Sequence, residues 1–252
     1  MCRHLAYVGP AVRLGSLLTD PPHALERQAW APRRQTHGVM NVDGFGVGWY
    51  VPGDPVPARH RGVGPVWADE TFAELARVIT SAGVLAAVRS ATEGMAHGPA
   101  ASAPFRQGRW LFSHNGAIRD WDTAVGRLAA DLDPVRLARL EVSTDSALMW
   151  VMVSQALDAG ADPAEALAGA VRRARDAGGE RLNLLLTDGA GIWATAYGAS
   201  LVTRRLHGAR GPGEAGGVVV ASEPYDDEPG WADVPDDSLV VATAGDVRVT
   251  RL

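Results

Sequence analysis

The chain opens on a run of small and apolar residues, 2–9, that predicts a short strand, then turns irregular through Pro21, Pro22 and Pro32. Strand signals return at 46–51 and 83–88. Between them Phe72, Leu75, Ala76 and Ile79 fall at helical spacing and predict a helix over 69–80. A strand over 110–118 leads into a helix near 121–130. Two helices follow. The first, over 144–159, carries Leu148, Met149, Met152, Val153 and Ala156 on one face; the second starts at Asp162-Pro163, an N-cap and first-turn proline followed by the acidic Glu165. After Gly178-Gly179 the pattern changes. Runs at 182–186, 192–197, 201–205, 218–222, 239–242 and 247–250 are short, apolar or β-branched and separated by Gly, Asp and Pro turns, which predicts an antiparallel sheet. The glycine-rich stretch 208–217 reads as a loop.

Strands, a helical pair and more strands predict an α+β fold in which two packed antiparallel sheets are covered by helices outside, rather than a doubly wound βαβ fold. No repeat of fixed period is present. The length of 252 residues and a hydrophobic share of 46% suit one domain, 1–252, with a substantial core. The 24 basic and 29 acidic residues are scattered, with no basic block to neutralise a phosphate run, which excludes nucleic acid as an expected partner. No apolar run approaches the ~20 residues that span a bilayer, and the N-terminus lacks a signal-peptide layout, so the expected location is the cytoplasm. The seven histidines lack ligand spacing and the lone cysteine has no CxxC partner, so neither metal nor cofactor is expected.

That cysteine, Cys2, directly follows Met1. It is either a small buried residue of the first strand or a reactive thiol. A small second residue permits removal of Met1, which exposes an α-amine. Such amines titrate near neutrality, at about 7.7–8.0, and can take the proton of a thiol that ordinarily titrates at about 8.5, so one residue supplies nucleophile and base. Asn115-Gly116 ends the 110–118 strand. It is either a hairpin turn or an amide and a backbone N–H aimed at one spot, as in an oxyanion hole. The alternating glycines of 41–49 do not match a dinucleotide fingerprint and predict a tight turn entering a strand, with the backbone close to a ligand. Arg89 ends an apolar strand, where it is either exposed or holds a carboxylate with both guanidinium arms; Asp145 opens a helix, where it is either a cap or a partner for an ammonium. His4 and His114 are expected as hydrogen-bonding scaffold.

Cys2, the Asn41–Gly48 turn, Arg89, Asn115-Gly116 and Asp145 occur in the order seen in class II glutamine amidotransferase domains, and the chain resembles that family from Cys2 to about Trp150. The resemblance implies a four-layer αββα sandwich of the N-terminal-nucleophile hydrolases. It implies Cys2 as nucleophile and base, Asn115 and Gly116 as oxyanion hole, and Arg89 and Asp145 as ligands of the α-carboxylate and α-amine of a γ-glutamyl substrate, with Gly44 and Thr92 lining its site. The family often carries Trp-Ala-Thr after the arginine, where this chain has Ser90-Ala91-Thr92. The stretches 1–10, 17–23 and 28–33 further resemble a narrower family, the γ-glutamyl hercynylcysteine S-oxide hydrolases of ergothioneine biosynthesis. That resemblance implies release of glutamate from a small-molecule γ-glutamyl amide with no ammonia acceptor. A glutaminase supplying ammonia to a partner and a non-catalytic γ-glutamyl sensor are the alternatives.

Overall fold

The computed structural model describes residues 2–91, 94–208 and 211–252. Alternation along the strands decides its layers. In β1 (Arg3–Arg13), Leu5 and Tyr7 pack against one apolar cluster while Ala6 and Val8 pack against another, so this strand is buried on both faces. Short helices α1 (Gly15–Leu18) and α2 (Leu25–Gln28) follow, then β2 (Phe45–Trp49), β3 (Ala58–Gly62), α3 (Glu70–Val78) and β4 (Thr80–Val88). The middle of the chain forms β5 (Phe105–Gln107), β6 (Trp110–Ile118), α4 (Trp121–Ala129), α5 (Pro134–Ala138), α6 (Asp145–Asp158) and α7 (Pro163–Asp176). The last third is β7 (Gly179–Thr187), β8 (Gly191–Ala196), β9 (Val202–Gly208), β10 (Gly211–Ala221), β11 (Ala232–Asp233), β12 (Ser238–Thr243) and β13 (Val247–Arg251).

Two antiparallel sheets result. One has seven strands in the order β11-β9-β10-β1-β4-β2-β3, the other six in the order β13-β12-β8-β7-β6-β5. Leu85, Leu111, Leu185, Val218, Val220 and Val240 fill the space between them. Leu17, Leu25, Phe72 and Ala76 from α1, α2 and α3 cover the outer face of the seven-stranded sheet, and α4, α6 and α7 cover that of the six-stranded sheet. This is the expected four-layer αββα sandwich. Helix α6 is buried without interruption from Ala147 to Ser154, which fits a helix enclosed by a sheet and neighbouring helices rather than one with a wet face.

The helix starts obey local chemistry: Asp69 accepts from Phe72 N at 2.7 Å and Asp162 from Ala164 N at 2.9 Å. Other expectations need correction. The strands after Gly179 do not form one sheet, because β10 pairs with β1 (Leu5 opposite Ala221, Tyr7 opposite Val219) and carries β9 with it into the N-terminal sheet. Apolar alternation marks a strand but not its partner. The stretch 208–217 is not a loop where it is described: Gly208 ends β9 and 211–217 runs in β10, since ladder bonds need only backbone. Strand β3 gave no signal because its residues Arg59, His60 and Arg61 lie at a sheet edge and lack apolar alternation.

Leu185 is fully buried between the sheets. Leu185→Ala is expected to cost about 2–5 kcal/mol, read as a lower denaturant midpoint in equilibrium unfolding.

Candidate active site

The layer between the sheets changes from apolar to polar at one end, and strand parity dictates which residues lie there. His4 precedes Ala6 and Val8 on the inward face of β1, with Cys2 just before that strand; Ser113 and Asn115 follow Leu111 on β6; Asn183 precedes Leu185 on β7; Ser222 follows Val218 and Val220 beyond β10. His4, Ser113, Asn115, Asn183 and Ser222 are all buried, so each needs a partner.

Cys2, half-buried and free, stands at this end. Its backbone nitrogen donates to Asn115 Oδ1 at 3.1 Å, and its thiol reaches the carbonyl oxygen of Ser90 at 3.9 Å. The Asn115 carboxamide donates from Nδ2 to Ser222 Oγ at 3.4 Å. Asn115 and Gly116 lie inside β6, opposite Asn183 and Leu182 of β7, so they are not a hairpin turn. Gly116 has its own constraint: a Cβ there would overlap the Arg181 carbonyl oxygen and the His114 ring, so only glycine lets β6 pass.

Arg89 directly follows β4 and is 9% exposed, which rules out the exposed strand-end reading. Its N–H donates to Gly44 O at 2.7 Å, and its carbonyl accepts from Asp43 N at 2.9 Å. Gly44 turns the chain with φ of 138°, and a Cβ on it would overlap the Ser102 hydroxyl. The Asp43 carboxylate accepts from Ala91 N at 2.7 Å, bracing the same turn. One arm of the Arg89 guanidinium, Nη2, donates to Ala96 O at 2.9 Å; the other, Nη1, is buried without a partner among the described residues. A buried cationic donor left unpaired is costly, and a ligand carboxylate would complete it. A Cβ on Gly46 would strike the Ala103 carbonyl oxygen, and one on Gly48 the Leu111 side chain.

Asp145 is the first residue of α6, but the cap is Thr144, whose hydroxyl accepts from Ala147 N at 3.2 Å. The aspartate is therefore released from capping. Its Oδ1 accepts from Ser146 N at 2.7 Å. Behind it, His114 Nε2 faces the Arg181 carbonyl at 3.3 Å and must donate, which leaves Nδ1 to accept from the Ser146 hydroxyl at 3.1 Å. Burial holds His114 below its ordinary value, against the pull of the Asp145 carboxylate. Burial pushes His4 well below it too, helped by the Arg3 and His114 charges, and His4 Nδ1 pairs with Ser113 Oγ at 3.1 Å. Each histidine is buried and hydrogen-bonded through Nδ1, and His4 Nε2 is without a partner among the described residues.

Cys2 bonds Asn115 and reaches Ser90, next to the Arg89–Gly44 turn, while Asp145 connects to the Asn115-Gly116 strand through Ser146 and His114; Thr92 lies outside the described residues. Sequence reasoning missed the groups behind them. Arg3 donates from Nε to the Cys2 carbonyl at 2.7 Å and pairs with Glu223 at 3.6 Å, both fully buried. Glu223 also accepts the N–H groups of Arg33 and Arg34, each at 2.8 Å. An arginine alternating with leucine and tyrosine in an apolar strand was the available signal. Beside the site, Gly94, Met95, Ala96, Asp120, Trp121 and Ser143 help line a cleft of about 770 Å³. Among the described residues, no group of three or more His, Cys, Asp or Glu side chains is placed to hold a metal.

The model of the class-II glutamine amidotransferases matches residues 19–212. The chain belongs to the class-II glutamine amidotransferase family. Within it, the chain is similar to the γ-glutamyl-hercynylcysteine sulfoxide hydrolase of Mycolicibacterium smegmatis, 42% identical over the whole of both chains. It is also similar to the hydrolase of that name from Mycobacterium tuberculosis, 40% identical over 100% of this chain and 97% of that one. A class-II domain protein from Silicibacter pomeroyi shares the fold, with a TM-score of 0.71 at 24% identity over 99% of each chain. The amidotransferase-family members' two-sheet architecture is therefore the one found here.

The two buried histidines make stability depend on pH. Both have folded values depressed below the unfolded value of about 6.5, so below that pH the unfolded chain binds more protons and stability falls as pH falls. Each contributes up to about 1.4 kcal/mol per pH unit between its two values. Denaturant midpoints are expected to be level from pH 8 to 7 and to drop between pH 6.5 and 5; a level midpoint across that lower window would contradict neutral, buried rings.

Proposed function

We propose that this chain hydrolyses the γ-glutamyl amide bond of γ-glutamyl-hercynylcysteine sulfoxide, releasing glutamate and hercynylcysteine sulfoxide, as a single amidotransferase-like unit working in the cytoplasm on a small molecule. Among the described residues no helix is long and apolar enough to cross a membrane. Identity of 42% along the whole chain to a relative named for that reaction supports the substrate. The single observation that carries the chemistry is the Cys2 nitrogen held by Asn115, which brings nucleophile, base and oxyanion donor together.

In this reading Met1 is removed and the Cys2 nitrogen becomes a free amine. Arg89 takes the α-carboxylate through its unpaired Nη1, and Asp145 takes the α-ammonium with the carboxylate oxygen that Ser146 leaves free. Gripped at that end, the γ-carbonyl is fixed against the thiol, and such positioning supplies a large part of catalysis. The amine accepts the thiol proton and the sulfur attacks the carbonyl carbon, forming a C–S bond. The tetrahedral oxyanion is met by Asn115 Nδ2 and the Gly116 N–H. Collapse breaks the C–N bond, and the protonated amine returns its proton to the departing nitrogen. Water, deprotonated by the same amine, then cleaves the thioester and restores the thiol. His4 and His114, kept neutral by burial, take no part in proton transfer. The cleft bordered by Ala96, Trp121 and Ser143 adjoins Arg89 through the bond to Ala96, so it opens beside the glutamyl end of the substrate.

Glutamate release from γ-glutamyl-hercynylcysteine sulfoxide and from glutamine tests this, with Cys2→Ala as the blank. Fast release from the sulfoxide that disappears in the blank is expected, with glutamine a poor substrate; release from glutamine alone would keep the mechanism and remove the substrate assignment. Arg89→Ala is expected to raise KM about ten- to a hundredfold, the range for a charge-assisted pair. An unchanged KM would break the carboxylate assignment.

A further inference from the structure

The Asn115 carboxamide does two jobs in the reading above, and they demand opposite ends of it: Oδ1 must face the Cys2 nitrogen while Nδ2 faces the attacked carbonyl. Asparagine is free to rotate about its terminal bond, and a half-turn exchanges donor for acceptor. In the exchanged orientation the amide would present hydrogens to the Cys2 nitrogen and a carbonyl oxygen to the developing oxyanion. Something must fix the plane.

We propose that Ser222 is the positioning residue for the Asn115 oxyanion donor, its hydroxyl holding one Nδ2 hydrogen so that the other points at the substrate carbonyl. The inference rests on the reading of Asn115 as that donor. Ser222 is fully buried, and its Oγ lies 3.4 Å from Asn115 Nδ2 and 3.0 Å from the His4 nitrogen. The His4 N–H is an unambiguous donor, so one lone pair of the hydroxyl is committed and the side-chain torsion is set by a backbone group of β1. Backbone bonds lock the residue itself. Ser222 N donates to His4 O at 2.9 Å, and Ser222 O accepts from Ser200 Oγ at 2.7 Å. The next residue is Glu223, whose carboxylate is paired with Arg3. The hydroxyl is therefore carried on one of the most firmly tied points in the molecule. With Oδ1 on the Cys2 nitrogen and one Nδ2 hydrogen on Ser222, the carboxamide is held at two points and its last hydrogen has one direction left.

Acting through Asn115, Ser222 affects the transition state and not the grip on the glutamyl end, which belongs to Arg89 and Asp145. Loss of an oxyanion donor typically costs about 10²–10³ in rate; loosening one is expected to cost about ten- to a hundredfold. Steady-state kinetics on γ-glutamyl-hercynylcysteine sulfoxide with Ser222→Ala, Asn115→Ala and the double variant tests this. The expected result is a fall in kcat for Ser222→Ala with KM within about threefold, and no further fall when Ser222→Ala is added to Asn115→Ala, because a positioning residue has nothing left to position. Effects that multiply, or a KM that rises in step, would overturn the proposal while leaving Asn115 in its role. Should Asn115→Ala keep full kcat, the oxyanion reading itself fails and the proposal with it. If Ser222→Ala loses its cooperative thermal transition, Ser222→Cys, similar in size and a weaker acceptor, takes its place in the same cycle, with an intermediate kcat expected.

Discussion

Everything in this molecule depends on β1 being buried on both faces. A strand in the middle of a sheet with helices on one side and a second sheet on the other can afford polar side chains only where they are paired. The chain meets that constraint at one end by a set of mutual bonds: the Cys2 nitrogen with Asn115, His4 with Ser113 and Ser222, Arg3 with Glu223. In the proposed function, the same bonds that make burial tolerable also orient the reacting groups. Stability and chemistry are not separate demands here.

Charge is handled in the same way. The Arg3–Glu223 pair is fully enclosed, and the attraction of two such charges only offsets the loss of water when further bonds finish the job. They do: the guanidinium also holds the Cys2 carbonyl, and the carboxylate also holds two backbone N–H groups from the 33–34 segment. Removing either partner would strand the other. Arg89 is treated differently: Nη2 is satisfied by Ala96 O, while Nη1 is buried without a partner among the described residues, and it is this arm that the proposed function gives to the substrate carboxylate.

Much of this was legible in the sequence. Helices α3, α6 and α7 and strands β2, β4 and β6 follow directly from apolar spacing and capping residues, and the order of Cys2, Arg89, Asn115-Gly116 and Asp145 marks the family. What was not legible is pairing across distance. No local rule tells that β10 returns to β1 rather than to β8, or that a serine and a glutamate at positions 222 and 223 bond to residues 4 and 3. These depend on contacts more than 200 residues apart in the chain, which composition and periodicity do not encode. Gly48 shows a constraint of the same kind: a Cβ there would strike Leu111 of the facing sheet, so the close approach of the two sheets sets that residue.

The continuous burial of α6 has an evolutionary consequence. A helix packed on all sides from Ala147 to Ser154 cannot shift without rebuilding the core, so the aspartate at its start is as immobile as the core itself. In the proposed function the Asp145 contact to the glutamyl end is thereby shielded from drift, whereas Gly94, Asp122 and Thr123 at the neighbouring cleft are exposed. On that reading, a lineage built on this frame can change such surface positions freely and keep its hold on glutamate throughout.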